Sequence, residues 1–149
     1  MYFKKRTYYS FESIEEVNNR IKDFSKGFFS VPNLWSRKID ENSFIITQKF
    51  SLVMFDLFYS NPALIEVNLV ENPDRTKIEC IIRNSYIVYL AQILFIGIFI
   101  FGLLNIPINS EIALGCIFFS ILMILLTHFF HTFALKRLQK SFESSMDLI

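Results

Sequence analysis

Hydrophobic and polar residues are distributed unevenly along this chain. Between residues 86 and 135, the only Asp, Glu, Lys, Arg or His residues are Glu111, His128 and His131. Two apolar segments lie there, at residues 87–104 and 112–130, and each has nearly the ~20 residues that a helix needs to cross the hydrocarbon core of a bilayer. The pattern predicts a transmembrane helical hairpin within residues 85–135.

The preceding region, residues 1–84, shows both strand-like and helix-like patterns. Ser13 and Glu16 have the spacing of a capping box, apolar residues follow at helical spacing, and Gly27 can end that helix. Five segments have the composition of β-strands and are separated by turn residues: residues 3–9, 35–39, 44–50, 64–70 and 77–82. We therefore expect an α+β domain in which one helix packs on a mainly antiparallel sheet.

Lysine and arginine set the expected orientation. Arg83, Lys136 and Arg137 flank the two apolar segments, whereas the connection between those segments has neither residue type. By the positive-inside rule, both termini are expected in the cytoplasm, with residues 1–84 as a cytosolic domain. Residues 136–149 are expected to form a basic cytoplasmic tail. Residues 132–149 continue as a basic, amphipathic segment, in which Phe133, Leu138 and Phe142 would rest on lipid while Lys136, Arg137 and Lys140 face anionic headgroups. The alternative is that this segment is simply the cytoplasmic end of the helix.

One apolar segment within the domain, residues 50–59, does not fit this pattern neatly. It is too short to cross a bilayer as a helix. It can be a buried strand, a surface element that dips into the membrane interface, or a contact site for a protein or lipid. Asp56 is its single acid, which either points to solvent between two inward neighbours or is buried. The residues proposed for contact are Phe50, Leu52, Met54, Phe55, Asp56, Phe58 and Tyr59.

Small and polar residues form a stripe on the second apolar segment. They recur at helical spacing and let another helix approach closely. The stripe suits packing within the hairpin or, alternatively, against another subunit. Its members are Ala113, Cys116, Ser120 and Thr127.

Motifs that would indicate an enzyme are missing from the sequence. It has no glycine-rich phosphate loop and no CxxC, HExxH or GxSxG motif. His128 and His131 are three residues apart, but a metal would need further ligands, so we expect no cofactor. Cys80 and Cys116 lie in different predicted layers and should not pair. No basic patch is strong enough to indicate nucleic acid binding.

Three short stretches prompt a family comparison: WSRKI at residues 35–39, NSF at residues 42–44 and TKIECIIR at residues 76–83. With the order of predicted elements, the chain resembles small uncharacterised bacterial membrane proteins in which an N-terminal α+β domain precedes two C-terminal spans. The resemblance implies a bacterial inner-membrane location and carries no activity.

Together, these patterns predict a non-enzymatic, membrane-anchored accessory or assembly protein. It would lie in the lipid bilayer and act through contacts with a membrane-protein partner or with further copies of itself. The alternative is a membrane-tethered binding module for a lipid or a small amphiphile, with its pocket on the curved face of the sheet.

Overall fold

The computed structural model describes residues 3–26, 33–49 and 63–148. These residues form an α+β structure of five strands and three helices. In chain order, the elements are β1 (Phe3–Ser10), α1 (Ile14–Asp23), β2 (Leu34–Asp40), β3 (Ser43–Gln48), β4 (Ala63–Glu71), β5 (Thr76–Asn84), α2 (Tyr86–Asn105) and α3 (Ser110–Ser145). The α+β class expected from the sequence is confirmed.

The five strands form one sheet in the order β1-β5-β4-β3-β2, and every neighbouring pair is antiparallel. Strands β2 to β5 follow one another as a meander, and β1 adds to the edge beside β5. Asn84, the last residue of β5, pairs with Ala63, and α2 begins two residues later at Tyr86. This end of the sheet is therefore next to the helical hairpin, and we call it the hairpin end.

One face of the sheet is covered by helices, and we call it the inner face. Its strand residues, such as Phe44, Ile65 and Ile78, are fully buried against α1 and the C-terminal part of α3. Helix α1 begins at a complete capping box, in which the Ser13 hydroxyl accepts from the Glu16 N–H at 3.3 Å and Glu16 accepts from the Ser13 N–H at 2.8 Å. The apolar face of α1 buries Val17 and Ile21, as in other amphipathic helices.

The helices α2 and α3 form an antiparallel hairpin. Two windows, Val88–Asn105 and one within α3, are long and apolar enough to cross a membrane. Asn109 caps α3 by accepting from the Ile112 N–H at 3.2 Å. The helices approach closely at Gly102, where an added Cβ would lie 2.9 Å from Ile117 Cγ1 and 3.1 Å from the Ala113 carbonyl oxygen.

The C-terminal part of the chain differs from the expected tail. Helix α3 has 36 residues and does not end at the second apolar segment but continues to Ser145. Leu138 and Phe142 are fully buried in the domain core, so the expectation that they rest on lipid is wrong. The reason is helical periodicity: Ala134, Leu135, Leu138 and Phe142 share one face of α3, and that face meets the sheet.

Candidate functional site: the open face of the sheet

The second face of the sheet is the candidate functional site, and we call it the open face. Along β3, β4 and β5, its residues alternate with the buried ones, and each is half-buried or exposed. No described helix packs on it, since the buried strand residues all face α1 and α3. Its exposed large apolar residues include Tyr9, Trp35, Ile39 and Val70.

A shallow groove of about 460 Å³ crosses the open face. All five strands contribute to it, so its shape depends on the whole sheet. Its lining includes Lys5 and Thr7 from β1, Ile39 and Asp40 from β2, Ser43 from β3, Glu66 and Asn68 from β4, and Glu79 and Ile81 from β5. A β-bulge between Lys38 and Asp40 ends the regular pairing of β2 at one side of the groove.

Two carboxylates in the groove already have cationic partners. Glu66 accepts from Arg83 Nε at 3.0 Å, and Glu79 lies 2.6 Å from Lys77 Nζ. The hydrogen bond to Glu79, together with its negative charge, raises the pKa of Lys77. These acids are thus compensated rather than poised as general bases. The groove offers paired charges, a hydroxyl and an amide beside apolar side chains, which is the composition of a contact surface.

A second group of polar residues attaches α3 to the edge strand β1. The Tyr8 hydroxyl donates a hydrogen bond to Glu143, and Gln139 Nε2 donates to the same carboxylate oxygen at 2.7 Å. Arg6 Nη1 lies 3.6 Å from that oxygen. The rings of Tyr8 and Phe142 also meet edge to face at 6.5 Å between centroids. We call Arg6, Tyr8, Gln139 and Glu143 the helix clamp.

The clamp changes the ionisation of both acidic partners. Partial burial opposes the charge on Glu143, but the hydrogen bonds from Tyr8 and Gln139 and the nearby cations of Arg6 and Lys4 outweigh it, so its pKa is lowered. Burial, together with the hydrogen bond to Glu143, raises the pKa of Tyr8. At neutral pH, the clamp therefore holds an ionised carboxylate and a neutral phenol.

The structure places the predicted stripe partly inside the hairpin. Ala113 and Ser120 are fully buried, whereas Cys116 and Thr127 are half-buried. Ser120 and Thr127 donate their hydroxyl hydrogens to carbonyl oxygens of their own helix, one turn earlier, at 2.7 Å each. Ala113 and Cys116 border the close approach at Gly102. Two of the four small residues thus border α2 at Gly102.

His128 and His131 have their ring centroids 5.8 Å apart on α3. Among the described residues, no group of three His, Cys, Asp or Glu side chains could hold a metal ion. Buried His131 Nδ1 and Asn84 Oδ1 have no hydrogen-bond partner among the described residues. Cys80 and Cys116 are free thiols. The predicted contact residues Phe50, Leu52, Met54, Phe55, Asp56, Phe58 and Tyr59 lie outside the described residues.

Sequence reasoning missed the helix clamp. Its two residues on β1 are more than 130 residues from its two residues on α3, and polar pairs at that separation leave no local pattern. A signal for the docking of α3 was nevertheless present: His131, Ala134, Leu135, Leu138 and Phe142 follow the 3–4–7 spacing of a buried helix face.

Comparisons with protein-family models, with curated proteins and with solved structures find no match to this chain.

Proposed function

We propose that this chain is a membrane-anchored, non-enzymatic accessory or assembly protein that acts through protein contacts made by the open face of its sheet. The observation that carries the proposal is the difference between the two faces. The inner face is packed by α1 and α3, whereas the open face carries a five-strand groove on which no described helix packs.

Membrane anchoring is supported by the surface of the hairpin. Large apolar side chains cover the outside of α2 and the first part of α3, including Leu94, Leu104, Leu114 and Phe118, each more than 60% exposed. In water, so large an apolar surface would cause association. In a bilayer, it is the expected exterior of a helical span. The lysines and arginines at the domain end of the hairpin favour a cytoplasmic domain and cytoplasmic termini. On the resemblance described above, we propose a bacterial inner membrane as the location.

A contact role, rather than a reaction, agrees with the chemistry of the groove. Glu66 and Glu79 are ion-paired, and Ser43 donates to Asn68 Oδ1 at 3.1 Å. Such a surface can exchange its internal pairs for pairs with a partner. Because β5 joins α2 through one residue, Ser85, the domain lies directly beside the hairpin. The partner would be the cytoplasmic part of another membrane protein or a second copy of this chain.

The alternative function, a binding module for a lipid or a small amphiphile, requires space on the curved inner face. Phe44, Leu138 and Phe142 fill that face with side chains that are at most 1% exposed. The described residues therefore leave no room for a ligand pocket on this face, and protein contacts remain the favoured function.

Site-specific photo-crosslinking tests the contact proposal. A benzophenone amino acid would replace Thr7 or Ile39 on the open face, with Lys22 on the solvent side of α1 as the matched control. In native membranes, we expect one adduct of defined mass from both open-face positions and none from Lys22. Mass spectrometry of the adduct then identifies another protein or a dimer of this chain. Equal labelling at all three positions, or no adduct at any, would contradict the proposal.

Orientation can be tested separately from contact. A single cysteine at Ile108, in the connection between α2 and α3, should react in whole cells with a maleimide that cannot cross membranes. A cysteine at Lys140 should react only after the cells are opened. These variants would carry Ser in place of Cys80 and Cys116. The reverse pattern of reactivity would overturn the proposed orientation.

A further inference from the structure

The C-terminal half of α3 has two opposite faces with different chemistry. At 100° per residue, positions 129, 133, 136, 137 and 140 fall within an arc of about 100°. These are Phe129, Phe133, Lys136, Arg137 and Lys140, and all five side chains are exposed. The opposite face contributes Ala134, Leu135, Leu138 and Phe142 to the domain core. The exposed arc is therefore available to whatever surrounds the helix at the hairpin end of the domain.

The three cations of this arc have no acidic partner among the described residues. The ion pairs of the described domain involve Arg6, Arg20, Lys26, Lys77 and Arg83. Lys136, Arg137 and Lys140 form no ion pair or hydrogen bond with any described residue. The acid that follows them, Glu143, is turned toward Tyr8 and Arg6 in the helix clamp. Three neighbouring positive charges thus face outward, and no acid of residues 3–26, 33–49 or 63–148 pairs with them.

The arc changes abruptly from aromatic to basic. Phe129 is 67% exposed and Phe133 is 51% exposed, and Lys136 follows three residues later. Three residues correspond to about 4.5 Å of helix rise. That distance matches the step from hydrocarbon to headgroups, where aromatic rings and cations are enriched.

We propose that Lys136, Arg137 and Lys140 form a binding site for the phosphate groups of anionic phospholipids, beside the aromatic pair Phe129 and Phe133. This site rests on the proposed membrane anchoring. The carbon chains of the bound lipid lie along the two phenyl rings, and its phosphate accepts hydrogen bonds from the cations. Because α3 continues into the domain core, a lipid held here fixes the height of the open face above the bilayer.

Lipid titration of the full chain in detergent, read by native mass spectrometry, tests the site. The probes are a phosphatidylglycerol and a phosphatidylcholine with identical acyl chains. A surface cation contributes about fivefold to the binding of anionic lipid, so three contribute on the order of 100-fold. We expect wild type to bind phosphatidylglycerol more tightly than phosphatidylcholine by up to that factor. The variant K136Q/R137Q/K140Q should bind both lipids equally.

The matched control is K22Q/R37Q/K38Q. It removes the same charge from α1 and β2, where these cations also lack an ion pair with described residues. The control should keep the lipid preference of wild type. Because the titration is done in detergent, a change of membrane orientation cannot produce the result. R137Q alone, expected to lose about fivefold, provides a milder variant if the triple variant folds poorly.

Three results would overturn the proposal: no preference in wild type, an unchanged preference in the triple variant, or equal losses in the triple variant and its control. Displacement of phosphatidylglycerol by inorganic phosphate would assign the cations to a free anion and would also overturn it. Alkaline extraction of membranes tests the anchoring separately. A chain that stays in the membrane but shows no lipid preference refutes the lipid site alone, whereas a chain released into solution refutes the proposed anchoring as well.

Discussion

The two halves of α3 are built in opposite ways, although they belong to one helix without a break. In the first half, the small residues Ala113 and Ser120 face α2, and large apolar residues such as Phe118 point outward. In the second half, Leu138 and Phe142 point inward, and cations point outward. The proposed passage of α3 from a bilayer into water explains these opposite arrangements. Water solvates exposed charge and disfavours exposed large apolar groups, whereas a bilayer does the reverse.

The comparison shows how the domain is joined to its anchor. The domain is held at two points, since β5 enters α2 through Ser85 and α3 returns from the hairpin into the core. A single flexible linker would leave the open face free to turn. Here, Leu138, Phe142 and the helix clamp also attach α3 to the sheet.

The largest expected effect comes from exchanging Phe142 for alanine. Phe142 is 1% exposed in the domain core, so Phe142→Ala should lower the free energy of unfolding of the domain by about 3–5 kcal/mol. Phe118→Ala, at a position that is 72% exposed, is the matched control and should change it by less than about 0.5 kcal/mol. Hydrogen exchange of the sheet amides in lipid nanodiscs measures both. Equal effects would show that the two halves of α3 do not differ as described.

The next effect concerns the hairpin itself. Gly102→Leu should force α2 away from α3, because its Cβ would lie 2.9 Å from Ile117 Cγ1 and 3.1 Å from a backbone oxygen. Overpacking of this kind costs about 1–3 kcal/mol and should lower the Tm of the protein in detergent. Gly97→Leu has no atom within 4 Å of its Cβ and should leave the Tm unchanged. If both variants have the same Tm, the close approach of the helices at Gly102 does not contribute to the stability of the hairpin.

The helix clamp should depend on pH. Glu143→Gln is expected to cost about 1–2 kcal/mol at neutral pH, since the charged hydrogen bond from Tyr8 and the ion pair with Arg6 are lost. The folded-state pKa of Glu143 is lowered from its usual 4.5, so this contribution is complete above about pH 5 and disappears as the pH falls through the folded-state pKa. Urea unfolding of both proteins at several pH values measures the difference. A difference that stays constant down to pH 3 would contradict the ionised clamp.

The smallest effect is expected far from the hairpin. Ser13→Ala removes the hydroxyl that caps α1 and should cost about 1 kcal/mol. Ser13→Gly, which keeps a favourable cap residue, should cost only a few tenths of a kcal/mol. The same urea experiment ranks the two variants. An alanine variant as stable as the glycine variant would mean that the capping box contributes little.

Local patterns predicted much of the fold. The capping box at Ser13, the alternation along β3 and β5 and the apolar runs of α2 and α3 are each recorded within a few neighbouring residues. Strand pairing in a meander also follows from short turns, such as the two residues between β2 and β3.

The features that the sequence could not predict depend on contacts between residues far apart in the chain. The sequence pattern around Lys136 and Arg137 predicted an amphipathic segment with Leu138 and Phe142 on lipid. Only the sheet, which is built from residues far earlier in the chain, gives Leu138 and Phe142 somewhere to be buried. The same holds for the groove, because its lining comes from five strands. Pairing across the sheet, rather than any motif, brings Thr7, Glu66 and Glu79 together.

The continuity of α3 from hairpin to domain is the central claim, and a distance measurement tests it most directly. Spin labels at Glu111 and Lys140, both exposed, are 29 residues apart on one side of the helix, in a chain with Ser at Cys80 and Cys116. A continuous helix separates the two positions by about 44 Å. Double electron–electron resonance in nanodiscs should therefore give one narrow distribution near that value. A broad distribution, or a distance well below it, would mean that the helix breaks at the membrane surface and that the domain is not held by its anchor.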